Sequence, residues 1–130
     1  MFKYTQEYDE RERRLDMDYG KFLPNINVEE GKARIMNNMA LYIKLLNKFK
    51  GRQMADNLIE AAKNGDHSAV AQHAHALRGT AANLSFPRLN DITSEIESLA
   101  KASEDSLHLT AQLDSVVTDL EAAIAELVNG

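Results

Sequence analysis

The spacing of apolar residues constrains the fold of this chain more than any other feature of its sequence. Toward the C-terminus they recur every three or four residues, the period of one helix face: Leu113, Val116, Val117, Leu120, Ile124 and Leu127. The same recurrence runs from Met39 to Ile59, from Val70 to Leu84 and from Leu89 to Leu99. No segment alternates apolar and polar residues as a half-buried β-strand does. The pattern therefore predicts an all-α chain.

Capping residues indicate where the helices begin. Asn27 is a predicted N-cap with Glu30 in the capping-box position, and a short helix follows toward Met36. Asp66 caps a later helix, and Pro87 suits the first turn of the one after it. With short connections between the long helices, the sequence predicts an antiparallel four-helix bundle preceded by one additional short helix.

One interruption is expected in the first long helix. Gly51 lies inside the apolar recurrence between Met39 and Ile59, and glycine costs about 1 kcal/mol relative to alanine in a helix interior. We expect a single helix that is weakened or bent at Gly51. The pair Asn64 and Gly65 is typical of a left-handed helix cap and ends it.

Charge and hydropathy patterning predict the domain organisation. Residues 1–20 mix charges of both signs, and we expect a charged extension or linker there, followed by a helical bundle over residues 21–130. No apolar run approaches the ~20 residues of a bilayer-spanning helix, and the charged N-terminus does not suit a signal peptide. We therefore expect no insertion into the membrane.

Composition removes several functional classes. The formal net charge of −5 gives no support to a nucleic-acid partner. Cysteine is absent from the sequence, which excludes disulfides, thiolate catalysis and zinc–sulfur sites.

Residues 73–84 contain the side chains best suited to chemistry. On a helix at about 100° per residue, His75, Arg78, Gly79 and Ala82 share one face. Arg78 can reach an anion attached to His75 and offers donors that fit phosphate oxygens. A histidine is largely neutral at cytosolic pH, so a ring nitrogen can act as a nucleophile. Gly79 leaves room for another surface to approach the imidazole. The set suits phosphoryl transfer, in which positioning and charge compensation supply most of the catalysis.

The same segment resembles the signature of histidine-containing phosphotransfer (HPt) domains. That signature is commonly Ala-His-x-Leu-Lys-Gly followed by small residues, and residues 74–84 read AHALRGTAANL. Residues 23–31, LPNINVEEG, and residues 41–49, LYIKLLNKF, are similar to the segments that precede it in bacterial members. The resemblance covers roughly Tyr19 to Leu127.

The resemblance implies a role for each residue of the motif. His75 is expected to be the phosphorylated nucleophile, Arg78 to support the phosphoryl group, and Gly79 to be the small residue beside the ring. A ring nitrogen, typically Nε2, is expected to attack the phosphorus of a phospho-aspartyl receiver domain that docks over this helix. The docking surface is expected to include three residues near the motif: Ala71, Gln72 and Ala82.

The resemblance also implies the partners. These are receiver domains of response regulators, a hybrid sensor histidine kinase, or both, with Mg²⁺ in the receiver and no cofactor or metal in this chain. The protein is expected to be a monomeric phosphoryl carrier in the cytoplasm, or the cytoplasmic portion of a membrane-bound sensor kinase. The sequence has no glycine-rich phosphate loop, so the phosphoryl group must come from a partner.

Two positions depart from the usual family pattern. Arg78 replaces a lysine, which preserves the charge but changes its shape and its phosphate contacts. Ser85 stands ten residues after His75, where many members have glycine, and we expect a different cap at this helix end.

Two other functions compete with phosphotransfer. His73 and His75 form a His-x-His pair, but on a helix they lie about 200° apart and cannot bind one ion together. We expect His67, His73 and His108 to be polar surface residues.

A non-catalytic helical adaptor, or a phosphatase-type or decoy module, would dock receivers without being phosphorylated. The intact motif around His75 favours phosphotransfer over these alternatives.

Overall fold

Six α-helices and one short 3₁₀ helix make up the part of the chain that the structure describes. The structure is a computed structural model and describes residues 19–129; residues 1–18 of the predicted charged extension lie outside this range. The helices are α1 (Val28–Ala33), α2 (Met39–Asn47), α3 (Gly51–Lys63), α4 (His67–Leu84), α5 (Pro87–Lys101) and α6 (Leu107–Asn129), and the 3₁₀ helix is Gly20–Phe22. Residues 19–129 contain no strand, which confirms the all-α prediction. Within the same range, no helix combines the length and the apolar character that crossing a membrane requires.

The four longest helices, α3 to α6, form an antiparallel bundle. Each packs against two others: α3 and α5 both contact α4 and α6. Arg52 near the start of α3 donates to Glu121 in the second half of α6. Arg88 near the start of α5 likewise pairs with Asp119 in the second half of α6. These pairings show that α6 runs opposite to both α3 and α5, as the sequence predicts.

The apolar stripes identified in the sequence supply the part of the core that lies between the four bundle helices. Their largest fully buried members come from all four bundle helices, so the stripes face a common interior. These residues are Leu58, Val70, Leu77, Leu89, Ile96, Leu113 and Leu120.

The predicted caps are present. The Asn27 side chain accepts a hydrogen bond from the backbone N–H of Glu30, and Asp66 caps α4 in the same way. Gly65 has φ +70° at the end of α3, and Pro87 opens α5. Local side-chain chemistry therefore sets these helix ends.

The prediction of one bent helix across Gly51 is wrong, because the chain forms two helices there. Helix α2 ends at Asn47 and α3 begins at Gly51. Between them, the Phe49 ring packs edge to face on Phe86, with ring centroids 5.0 Å apart. The same ring lies against Gly51, where an added Cβ would collide with it. The break between the helices lets the Phe49 ring pack on Phe86, and the absence of a side chain at Gly51 leaves space for that ring.

Ser85 adopts a left-handed conformation at the end of α4, with φ 62° and ψ 59°. This conformation disfavours residues other than glycine. The hydroxyl donates to Glu30 Oε1 at 3.0 Å and accepts from Arg34 Nε at 3.3 Å. Ser85 thus caps α4 in the left-handed conformation that a glycine would adopt, and its side chain ties the end of α4 to Glu30 and Arg34.

Two residues that precede the bundle also hold the end of α4, by donating hydrogen bonds to its last backbone carbonyls. The N–H of Asn27 donates to the carbonyl of Ser85 at 2.8 Å. The buried hydroxyl of Tyr42, on α2, donates to the carbonyl of Leu84 at 2.6 Å. Both bonds satisfy carbonyls that a helix end leaves without helical partners.

The effect of Ser85 on stability can be measured by replacing it in two ways. Ser85→Ala removes both side-chain hydrogen bonds and keeps a Cβ in the left-handed conformation, so we expect the free energy of unfolding to fall by about 1–2 kcal/mol. Ser85→Gly loses the same bonds but relieves a backbone cost of about 1 kcal/mol, so its loss should be smaller. Urea denaturation measures both values. Equal losses would show that the backbone conformation at residue 85 has no measurable cost.

Candidate functional site

Helix α4 divides the motif between a buried face and an accessible one. The inward face is fully apolar and consists of Val70, Ala74, Leu77, Ala81 and Leu84. On the other face, the His75 side chain is 68% exposed and the Arg78 side chain is 38% exposed. Gly79 is exposed and Ala82 is half-buried. The helix therefore presents an imidazole and a guanidinium to the solvent.

A buried carboxylate from α5 joins these two side chains. Glu97 is only 7% exposed at its side chain, and its Oε2 lies 2.9 Å from Nδ1 of His75. Its Oε1 accepts a hydrogen bond of 2.7 Å from Nε of Arg78. The ammonium of Lys101, one turn later on α5, lies 3.2 Å from the same Oε2 that contacts His75. One carboxylate thus organises three basic groups.

The contact with Glu97 determines which ring nitrogen of His75 carries the proton. An ionised carboxylate can only accept hydrogen bonds, so Nδ1 must be the protonated nitrogen. Neutral His75 then has its free lone pair on Nε2. The terminal Nη2 of Arg78 lies 3.2 Å from Nδ1, and because both groups are donors, this contact places a positive charge beside the ring.

The charges around Glu97 keep it ionised. Burial opposes its ionisation, but hydrogen bonds from Lys101, His75 and Arg78 and the positive charge of Arg78 outweigh that effect and hold the pKa of Glu97 below its usual value. The acceptor for Nδ1 is therefore a carboxylate at neutral pH.

Gly79 has no packing role within the described residues. A Cβ built at this position meets no atom within 4 Å, so alanine would fit the isolated molecule and would suit the helix better by about 1 kcal/mol. The absence of a side chain here only matters to a surface that approaches from outside.

The predicted docking residues lie on either side of the motif along α4. Ala71 and Ala82 are half-buried, and Gln72 is exposed. None of the three makes a side-chain hydrogen bond or ion pair within residues 19–129. Their part in docking remains a prediction.

The other histidines do not join the site. His67 and His73 are half-buried on α4, and His108 is exposed near the start of α6. Across residues 19–129, no three histidine, aspartate or glutamate side chains are grouped so that they could hold a metal ion.

Sequence reasoning missed Glu97 and Lys101, which come from a different helix. A signal for Glu97 was present: it continues the inward stripe of α5 after Thr93 and Ile96, where a charge is unusual. A charged residue in a core-facing stripe needs a partner, and the exposed His75–Arg78 face is where that partner lies.

Comparison with known proteins gives one match. The family model of the Hpt domain matches residues 50–130, which include the His75 motif, Glu97 and Lys101. No curated protein matches the chain significantly, and no solved structure does.

The lowered pKa of Glu97 predicts a specific acid sensitivity. A carboxylate with a lowered folded pKa stabilises the protein above the ordinary glutamate value of ~4.3 and loses that effect as pH falls through the folded value. We expect Glu97→Gln to lose about 1–2 kcal/mol at neutral pH and to show a shallower decline in unfolding free energy below about pH 5. Urea denaturation across a pH series measures both. Glu95→Gln, an exposed change on the same helix, serves as the control, and an identical slope in the parent and Glu97→Gln would refute the assignment.

The geometry also predicts the tautomer of His75. In the parent, neutral His75 should carry its proton on Nδ1, because Glu97 accepts that bond. In Glu97→Ala the acceptor is gone, and the proton should move toward Nε2, the form that free histidine prefers. Multiple-bond ¹H–¹⁵N spectra distinguish the two forms. A parent protein with the proton on Nε2 would contradict the proposed orientation.

Proposed function

The chain belongs to the Hpt domain family, whose members carry out histidine phosphotransfer in two-component systems, and we propose that it carries the phosphoryl group on His75. The observation that supports this most strongly is the exposed imidazole whose Nδ1 contacts the buried carboxylate of Glu97. That contact leaves Nε2 as the free nucleophile on the accessible side of the molecule.

The proposed step is an in-line transfer from a phospho-aspartyl group of a receiver domain. The lone pair of Nε2 attacks phosphorus, an N–P bond forms, and the P–O bond to the aspartate breaks. The aspartate carboxylate leaves with the electron pair, and the Nδ1 proton stays in its bond to Glu97. The reverse sequence returns the group to a second receiver, so this chain both accepts and donates.

Charge compensation during this step is shared between the two proteins. Arg78 lies beside the ring, on its Nδ1 side, and its guanidinium would turn toward Nε2 to bind the phosphoryl oxygens. Glu97 offsets the positive charge that the imidazole gains as the N–P bond forms. A Mg²⁺ ion held by the receiver would neutralise further phosphoryl charge.

The docking partner is proposed to be the receiver domain of a response regulator or of a hybrid sensor kinase, in the cytoplasm. It would approach over Gly79, where a larger side chain would stand between the two surfaces. Ala71, Gln72 and Ala82 would border the contact. The protein would act as a monomer and rely on a partner for its phosphoryl group.

Phosphotransfer can be tested with one substitution on α4. The protein is mixed with Mg²⁺ and several response-regulator receivers, each phosphorylated on its aspartate by a small-molecule phosphoryl donor. We expect the parent to acquire phosphate that is stable in alkali and labile in acid, as phosphohistidine is, and His75→Gln to acquire none. The measurement follows labelled phosphate on each chain after acid and alkali treatment.

His73→Gln is the matched control, because this half-buried histidine lies two residues earlier on the same helix. It should accept phosphate as the parent does. Receiver binding that is unaffected by His75→Gln, together with no transfer in the parent from any receiver, would instead support an adaptor that docks receivers without being phosphorylated.

A further inference from the structure

The buried carboxylate at the site has one basic partner to which the proposed step gives no role. Glu97 accepts from Arg78 at Oε1, and its Oε2 contacts both His75 and the ammonium of Lys101. His75 is the proposed nucleophile and Arg78 the proposed phosphate ligand. Lys101 is a third basic group at the same carboxylate, and its side chain is 66% exposed.

Arg78 faces two anions once the phosphoryl group is attached. Its Nε donates to Glu97 at 2.7 Å, and its Nη2 lies on the Nδ1 side of the His75 ring. The phosphoryl group binds Nε2, on the other side of the same ring. To contact the phosphoryl oxygens fully, the guanidinium must turn away from the carboxylate. Without a second cation, Glu97 would then be a buried charge with only the imidazole to offset it, which is costly.

Lys101 is placed to offset the charge of Glu97 when Arg78 turns away. It lies four residues after Glu97 on the same helix, the spacing at which helical side chains meet. It is the last residue of α5, where the helix terminus favours a positive charge. Its ammonium has three donors on a flexible stem, so it can contact either carboxylate oxygen as the other partners move.

We propose that Lys101 is a positioning residue for phosphotransfer, which holds the ionised Glu97 while Arg78 turns to the phosphoryl group on Nε2. The proton then stays on Nδ1, in its hydrogen bond to Glu97, and the carboxylate holds the orientation of His75 throughout the step. This inference rests on the proposed function of His75. A lysine that only stabilised α5 through an i,i+4 ion pair would change the unfolding free energy slightly and leave transfer unchanged.

The test measures the rate of phosphoryl transfer from a phosphorylated receiver at a series of receiver concentrations. The acceptors compared are the parent protein, Lys101→Met and Lys101→Arg. We expect the maximal rate to fall about tenfold in Lys101→Met, the effect of one lost charge-assisted hydrogen bond in the transition state. The receiver concentration at half-maximal rate should stay the same, because Lys101 acts through Glu97. Lys101→Arg should restore most of the rate. Lys63→Met is the matched control, because Lys63 is the exposed last residue of α3.

A second readout follows Arg78 directly in protein labelled with ¹⁵N-arginine and phosphorylated with phosphoramidate. The Nε–H resonance of Arg78 should shift on phosphorylation of the parent and shift much less in Lys101→Met.

Transfer in Lys101→Met at the parent rate overturns the inference and leaves the relay function standing. A loss that Lys101→Arg does not restore also overturns it, because charge would then not be the cause. Absence of transfer in the parent overturns the relay function and this inference together.

Discussion

The close packing of α5 on α4 is the constraint on which the site depends. Ala74 and Ala81 are fully buried on the inward face of α4, and small side chains let two helices approach each other. Ile96 packs into the same core, and Glu97 follows it on α5. This brings the carboxylate under the motif, within 2.9 Å of His75. The orientation of the imidazole is therefore a result of how the core is packed.

The local charge at the site is opposite in sign to that of the whole chain. The sequence has a formal net charge of −5, yet Arg78 and Lys101 place two cations around the exposed imidazole. Because the balancing carboxylate is buried, an approaching anion meets the cations first. Overall acidity thus limits nonspecific contact with polyanions, while the two exposed cations make this face locally favourable to an approaching anion.

The parts of the fold that could be predicted from the sequence are those encoded locally. Asp66 and Pro87 act within one turn of their own helices, so their positions alone predict helix starts. The break between α2 and α3 depends on Phe49 reaching a ring far along the chain, which local periodicity does not contain. The candidate site likewise has a part that is encoded locally and a part that depends on distant contacts. The exposed face of α4 could be predicted from helical spacing, whereas Glu97 and Lys101 required knowledge of which helices are neighbours.

The attachment of residues 26–42 to the end of α4 bears on where the packed module begins. The family match starts at residue 50, but Tyr42 and Asn27 bond to the last carbonyls of the helix that bears the motif. Ile26 and Val28 belong to the same buried core. A fragment cut at the edge of the match would leave those carbonyls and that apolar surface uncovered. The packed unit is thus longer than the stretch that the family model matches, and buried contacts define its boundaries better than the match does.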